Sequence, residues 1–158
     1  SAGRVMLEDD GPAFQQNYYD GYFLADPALF VKNHYPLEIE SSLLENPPSF
    51  DEFIEGPVVY KDAFNHPIIP ISPKKMHLET LKNESVSFHL LVPDNFQKAN
   101  IKLVINGGGS DKKLLPKVTI NENECALAYT FQKTGLFDVH IKVRDSLIAT
   151  YVVRVKRK

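Results

Sequence analysis

The sequence predicts a mainly β chain, with an irregular first half that carries short helices and a β-sandwich as its second half. Prolines are dense before residue 75, and their spacing excludes long helices and central strands there. From residue 76 onward, apolar and polar residues alternate in short runs, and residues typical of turns separate these runs. We therefore expect two domains, 1–75 and 76–158, with residues 67–75 as an extended linker.

The first helix of the irregular half is predicted from its capping residues. Asp26 precedes Pro27, and proline suits the first helical position because its missing N–H needs no partner there. A helix is therefore expected over residues 28–32. Ahead of it, residues 18–24 are rich in aromatic side chains, which favours a strand.

A second short helix is predicted some twenty residues later. Ser49 and Glu52 have the spacing of a capping box, in which each residue satisfies a backbone N–H of the other. Phe50, Phe53 and Ile54 give this helix its apolar face. Two helices this short need tertiary packing to be stable, so we expect little core in residues 1–75.

The second half contains seven runs in which every other residue is apolar, a pattern that puts one face of a strand in the core and the other in solvent. The runs lie at about residues 76–78, 86–92, 101–105, 118–120, 127–131, 137–143 and 149–155. Seven short strands without intervening helices predict an immunoglobulin-like β-sandwich. One cysteine and no tryptophan exclude the disulfide and the buried tryptophan of antibody domains, so aliphatic packing alone is expected to hold the sheets together.

Composition limits the partners. With 18 Lys+Arg against 20 Asp+Glu, a formal net charge of −2 gives no general electrostatic reason to bind nucleic acid. The longest apolar runs are too short to cross a bilayer, and no basic-then-apolar leader opens the chain. The single cysteine favours a reducing compartment. We expect a protein partner, no nucleic acid, no membrane and no cofactor.

No catalytic or metal site is predicted. Cys125, the only thiol, is in register with the apolar positions of its strand, so we interpret it as a small buried residue. The five histidines lack the close pairing of zinc ligands, although His89 and His140 are predicted to face outward and to be able to neighbour each other across a sheet. The glycine-rich residues 107–110 lack the Lys-Ser/Thr of a phosphate-binding loop and are interpreted as a hairpin loop.

One stretch of the first half carries a more specific pattern. From residue 22 the chain reads Tyr-Phe-Leu-Ala-Asp-Pro, then Phe-Val, His-Tyr-Pro, Leu-Leu, Pro-Pro, Ser and Phe up to residue 53. Over about residues 18–64 this order and spacing resemble the segment after the catalytic core of transglutaminase-like proteins of the kyphoscoliosis peptidase type. The chain departs from that family at Ala25, where Thr is usual, and at Ser41 and Ser42, where Trp-Gln is usual. The matching residues, taken here as a family motif and a candidate interface, are Tyr22, Phe23, Leu24, Asp26, Pro27, Phe30, His34 and Pro36.

The resemblance implies a parent protein with a Cys-His-Asp triad, in which a thiolate attacks a carbonyl and His shuttles the proton. All three family positions precede the matching segment. Cys125 lies far beyond it and His34 matches a structural histidine, so neither takes a catalytic role. The resemblance also implies a cytoplasmic, cytoskeleton-associated protein and allows a sandwich after the motif.

Three functions are compatible with the sequence. The leading one is a non-catalytic C-terminal region that acts as a protein–protein interaction module and binds another protein or its own missing N-terminal portion. The first alternative is a structural part of a cysteine peptidase or transglutaminase whose triad lies upstream; the second is an independent adhesion-type sandwich. The oligomeric state stays open. We expect the interface at the free edge of the aromatic strand 18–23, and we expect residues 76–158 to fold alone.

Overall fold

The structure is a computed structural model that describes residues 3–8, 11–16, 20–107, 112–114 and 116–157. The strands in these ranges are β1 (Gly3–Glu8), β2 (Gly11–Gln16), β3 (Val58–Val59), β4 (Ile69–Ser72), β5 (His77–Leu81), β6 (Ser85–Leu91), β7 (Ile101–Asn106), β8 (Lys112–Leu114), β9 (Lys117–Asn121), β10 (Glu124–Thr130), β11 (Gly135–Val143) and β12 (Ser146–Lys156). The α-helices are α1 (Pro27–Phe30), α2 (Phe50–Glu55) and α3 (Asp62–Asn65), and short 3-10 helices lie at Asp20–Tyr22, Ile39–Ser41 and Lys98–Asn100.

The strands from β3 onward form two sheets. One has the order β4-β6-β10-β9, and the other has the order β3-β12-β11-β7-β8, with β5 running parallel to one end of β12. In an immunoglobulin-like sandwich, the first, second, fifth and fourth strands form one sheet, and the third, sixth and seventh form the other. Taking β4 as the first strand and β9 as the fourth gives this order, so the chain contains an immunoglobulin-like β-sandwich and the predicted fold class is confirmed. A separate hairpin of β1 and β2 precedes it.

The seven predicted runs are all strands, namely β5, β6, β7, β9, β10, β11 and β12. Their alternation matches the burial of their side chains: in β7, Ile101, Leu103 and Ile105 are buried, and the residues between them are half-buried. The prediction of purely aliphatic packing is wrong. The rings of Phe88 in one sheet and Tyr151 in the other lie 4.9 Å apart between their centroids, and both side chains are fully buried. An aromatic pair therefore contributes to the packing between the two sheets.

The predicted linker at residues 67–75 is wrong. β4 lies within it and pairs antiparallel with β6, with Ile69 opposite Leu91 and Pro70 opposite Leu90. Ile68 is fully buried and Ile69 nearly so. The dense prolines exclude only a central strand, and β4 is at the edge of its sheet, where proline is tolerated.

The segment before β4 is also attached to the sandwich. β3 pairs with the middle of β12, with Val59 opposite Ala149, and α3 packs on β12. Leu29, Val59 and Phe64 belong to the same buried cluster as the strands of both sheets. One hydrophobic core therefore draws side chains from both sides of residue 75, whereas the sequence predicted two separate units with little core in the first.

Local predictions in the first half have mixed outcomes. The two capped helices are confirmed: the Asp26 carboxylate accepts a hydrogen bond from the Ala28 N–H at 2.7 Å, and Ser49 and Glu52 form the capping box. The strand predicted at residues 18–24 is wrong where the structure describes it, because Asp20–Tyr22 is a 3-10 helix closed by a bond from Phe23 N to Asp20 O. Residues 17–19 lie outside the described ranges, as do 108–110 of the predicted glycine-rich loop.

Gly107 is required where β7 ends, and this can be tested by substitution. Its φ is +147°, and a Cβ there would lie 2.6 Å from the carbonyl oxygen of Leu136 and 2.8 Å from a ring carbon of Phe137. Gly135 has φ +146°, but a Cβ there would meet only the Phe137 ring at 3.6 Å, an ordinary contact. Both alanine variants carry the same backbone cost, so their difference isolates the steric clash.

We expect Gly107→Ala to lower the free energy of unfolding by about 1–3 kcal/mol more than Gly135→Ala does, as overpacking typically costs. Urea denaturation of the two variants and the parent chain measures this difference. Equal losses in the two variants would contradict the close approach of the Leu136 and Phe137 backbone to Gly107.

Candidate interaction surface

The motif residues form an aromatic cluster on α1 and the turn before it. The rings of Phe30 and His34, one helical turn apart, are stacked with centroids 4.4 Å apart and planes at 8°. The Tyr22 ring stands edge-on to His34 at 4.9 Å and to Phe64 at 4.8 Å. Since Phe64 is part of the buried core, these contacts connect the motif to the sandwich. Tyr22, Phe30 and His34 therefore hold this part of the chain in place.

Two motif residues define the start of α1. Asp26 caps α1 through the bond to the Ala28 N–H, and Pro27 occupies the first turn. Their placement orients α1 so that Leu29 is buried, at 2% exposure, while Phe30 lies partly at the surface, at 39%. Asp26 and Pro27 therefore fix the start of α1, from which Phe30 reaches the surface.

A groove of about 360 Å³ lies beside the aromatic cluster. Six of the eight motif residues line it, together with residues 41–43 on the opposite wall, and Phe23 and Asp26 are the two that do not. The motif residues in the lining are Tyr22, Leu24, Pro27, Phe30, His34 and Pro36. Ser41 and Ser42 are small, so this wall fills little of the space. The motif in the sequence indicated the lining residues between 22 and 36, but nothing in the sequence indicated residues 41–43.

Exposed apolar side chains are concentrated in the same part of the chain. Leu24 is 88% exposed, Leu43 is 86% exposed and Leu37 is completely exposed. Among the described residues, every exposed large apolar side chain except Leu136 lies at or before residue 58. Single exposed leucines are normal on a protein surface, but Leu24 and Leu43 both line the same groove. We call residues 20–56, with this groove, the docking segment.

The docking segment is strongly acidic. It contains eight Asp and Glu residues and one basic residue, Lys32, whereas residues 57–158 contain sixteen Lys and Arg and nine Asp and Glu. All eight acidic residues are exposed. Burial and the nearby Lys74 lower the pKa of Lys32. The net charge of −2 is the sum of an acidic segment and a basic sandwich. Counting the charges of each segment separately reveals this division from the sequence alone.

A chain of side-chain hydrogen bonds joins Tyr60, the residue after β3, to β12, β11 and β7 of the sandwich. Asn106 Nδ2 lies 3.3 Å from His140 Nε2, and His140 Nδ1 lies 2.7 Å from Thr150 Oγ1. The Thr150 hydroxyl donates to the Tyr60 hydroxyl oxygen over 3.2 Å. Because this uses the only proton of Thr150, His140 donates from Nδ1 and accepts at Nε2 from Asn106. Thr150, at the centre of this chain, is buried, while Asn106, His140 and Tyr60 are half-buried.

The remaining candidate residues do not form a reactive site. Cys125 is fully buried in β10, and burial raises the pKa of its thiol to about 11, so almost no thiolate forms near neutral pH. His89 in β6 contacts Glu124 at 2.6 Å, while His140 is in the other sheet, so the predicted neighbourhood of the two histidines is wrong. The described residues contain no group of three or more His, Cys, Asp or Glu that suits a metal ion. Among the described helices, none has the length and hydropathy to span a membrane.

No protein-family model matches this chain, and no curated protein matches it. Among solved structures it is similar to the Lin-41 filamin domain, at 16% identity and a TM-score of 0.44, over 65% of this chain and 99% of that one. It is also similar to a mutant of the titin I27 domain, at 12% identity and a TM-score of 0.36, over 58% and 90% of the two chains. The BTLA ectodomain is similar at 10% identity and a TM-score of 0.38, over 58% of this chain and 98% of that one. Likenesses at these values decide nothing about function.

The hydrogen-bonded chain predicts that Thr150 is important for stability. Thr150→Val keeps the shape of the side chain but leaves the His140 Nδ1–H and the Tyr60 hydroxyl without their partner. We expect it to lower the free energy of unfolding by about 1–3 kcal/mol, since two hydrogen bonds are lost and each contributes about 0.5–1.5 kcal/mol. Thermal or urea unfolding gives the value.

Thr130→Val is the matched control. Thr130 shares a hydrogen bond of 2.6 Å with Ser85, but this pair is exposed and water replaces the lost partner. We therefore expect a change within about 0.5 kcal/mol for this variant. A loss at Thr130 as large as that at Thr150 would mean that the chain of hydrogen bonds through Thr150 adds no more stability than an exposed pair does.

Proposed function

We propose that this chain is a non-catalytic protein–protein interaction module, in which an immunoglobulin-like sandwich carries a docking segment for another protein. The observation that carries the proposal is the groove with its exposed leucines, Leu24 and Leu43, on a segment that is tied to the core through Phe64. A segment packed from one side only, with its other side apolar, loses that exposure when a partner covers it. The transglutaminase-like resemblance supports such a role, because it matches a non-catalytic part of that family.

A second candidate function follows from the same resemblance. We propose it as the alternative in which the chain completes a transglutaminase-like cysteine peptidase whose triad is supplied by residues that precede the family motif. The docking segment would then contact that catalytic part, in a cytoplasmic, cytoskeleton-associated protein. The third function, an independent adhesion-type sandwich, gives no role to the docking segment. It therefore predicts that variants of the groove keep their partner, which the experiment below tests.

Variants at the groove test the proposal. The interface was first expected at the edge of an aromatic strand, but Tyr22 packs against His34 and Phe64, so replacing it would disturb the fold. Leu24→Ser/Leu43→Ser removes two exposed side chains instead. Each exposed leucine that becomes buried contributes roughly 1.5–3 kcal/mol, so we expect the double variant to weaken partner binding by at least about tenfold with an unchanged unfolding temperature.

The measurement is affinity capture from the cells of origin, followed by binding of each captured protein in purified form. Phe14→Ser/Leu136→Ser is the matched control, because it also removes two exposed large apolar side chains but lies outside the docking segment. We expect it to retain the partner. If the control loses the partner and the groove variant keeps it, the sandwich is the binding surface; if the isolated chain incorporates amines or hydrolyses peptides in a manner that Cys125→Ala abolishes, the module is catalytic.

A further inference from the structure

We propose that the partner of the docking segment is a basic segment of another protein, in which Lys or Arg side chains flank a large apolar side chain that enters the groove. This inference rests on the proposed function and names the chemistry of the partner. It is carried by two independent properties of the same surface, its apolar groove and its acidic surroundings.

The groove selects an apolar anchor. Its walls are mostly carbon, from the aromatic cluster on one side and Leu43 on the other. Its volume of about 360 Å³ is near the lower end of the range of clefts that hold a ligand, about 300–1,000 Å³. A large apolar or aromatic side chain would displace water from these walls, and burial of such a side chain at the centre of an interface is the usual anchor of a protein complex.

The surroundings select a basic neighbour. Acidic residues alternate along the chain with the residues that line the groove: Asp26 lies between Ala25 and Pro27, and Glu38 and Glu40 lie between Pro36 and Ser41. A further carboxylate, Glu45, follows Leu43 by two positions. Basic groups on both sides of an apolar anchor would therefore each meet carboxylates.

These charges are largely unpaired within the described residues. Glu55 pairs with Lys75 at 2.8 Å, and Glu52 is used in its capping box. Glu38, Glu40 and Glu45 have no side-chain hydrogen bond or ion pair with any described residue; Glu38 precedes the 3-10 helix Ile39–Ser41 without capping it. Unpaired charge of one sign around a groove raises the rate and the specificity of association with the opposite sign.

Other occupants fit less well. Anionic lipid and nucleic acid would be repelled by a segment that has eight acidic residues and one basic residue. A small molecule in the groove would leave Leu37, which is not in its lining, in water. A second copy of this chain would repel through its own acidic docking segment, and its basic residues 57–158 expose only Val58 and Leu136 as large apolar side chains among the described residues.

The experiment uses the full chain and a synthetic peptide. The peptide has a central Leu-Trp pair with lysines on both sides; one control peptide has glutamate in place of lysine, and the other has alanine in place of Leu-Trp. Binding is followed by the tryptophan fluorescence of the peptides that contain it, since the chain itself has no tryptophan, and by calorimetry for the alanine peptide. We expect the lysine peptide to bind, with an affinity that falls as salt is raised, and both controls to bind at least about tenfold more weakly.

Two charge-reversal variants complete the design. Glu38→Lys/Glu40→Lys changes the groove's surroundings, while Asp94→Lys/Asp138→Lys makes the same change of charge at exposed positions of the sandwich. We expect the first to weaken binding of the lysine peptide by at least about tenfold and the second to leave it within about twofold. Leu24→Ser/Leu43→Ser should weaken it as well, since the anchor depends on the groove.

Several outcomes would overturn the inference. No binding of the lysine peptide, equal binding of the glutamate peptide, or equal losses in the two charge-reversal variants would each do so. Sedimentation that shows a dimer abolished by Glu38→Lys/Glu40→Lys would make a second copy the occupant, and binding to phosphatidylserine vesicles abolished by Leu24→Ser/Leu43→Ser would make it a lipid. If the peptide fails while a purified partner is still lost in the leucine variant, the proposed function survives and only the basic chemistry of the partner is refuted.

Discussion

The burial of Ile68 and Ile69 in the core, with β4 paired to β6, is the constraint on which the rest of the molecule depends. β4 lies in one sheet and β5, five residues further on, lies in the other, so the chain crosses between the two sheets at this point. The described residues from 20 to 68 are held to the sandwich through this strand, through β3 on the edge of β12 and through α3. The position of the docking segment is therefore set by the sandwich and not by the segment's own short helices.

The contacts that carry this constraint outward can be followed residue by residue. Phe64 in α3 is buried in the core, Tyr22 packs on Phe64, and His34 packs on Tyr22. Phe30 then stacks on His34 and forms part of the groove. A helix of one turn such as α1 has no stability of its own, so these ring contacts and the Asp26 cap keep it in place. The inner face of the segment, with Leu29, is packed in this way, while Leu24, Leu37 and Leu43 stay in solvent.

The sandwich could be predicted from the sequence because its signal is periodic. The alternation of the predicted runs matches the burial in strands such as β7 and β11, and the capping residues of α1 and α2 act locally, so both were visible without tertiary information. β4 was missed because Pro70 is unfavourable in most strands and is tolerated only at an edge, which is a property of the sheet and not of the local sequence. Asp20–Tyr22 was predicted as part of a strand from its aromatic neighbours, whereas the bond from Phe23 N to Asp20 O closes a turn.

The groove was predicted only in part, for the same reason. The motif indicated one wall, but residues 41–43 form the other through packing that no pattern in the sequence records. Charge divides the chain, because residues 57–158 are basic and the docking segment is acidic. The net charge of −2, from which nucleic acid was excluded as a partner, is the sum of these two unlike parts. A groove with apolar walls and unpaired carboxylates around it is what the sequence and the structure together identify.

The central claim is that residues 57–75 are part of the sandwich, and two truncated chains test it most directly. A chain of residues 57–158 keeps β3, α3 and β4, while a chain of residues 76–158 lacks them together with the buried side chains of Val59, Phe64, Ile68 and Ile69. At roughly 1.5–3 kcal/mol for each buried side chain, their loss approaches the whole stability of a domain, about 5–15 kcal/mol. Urea unfolding followed by circular dichroism should show a cooperative transition for 57–158 and little or none for 76–158. Equal free energies of unfolding for the two chains would contradict the claim and would mean that the sandwich folds without β4.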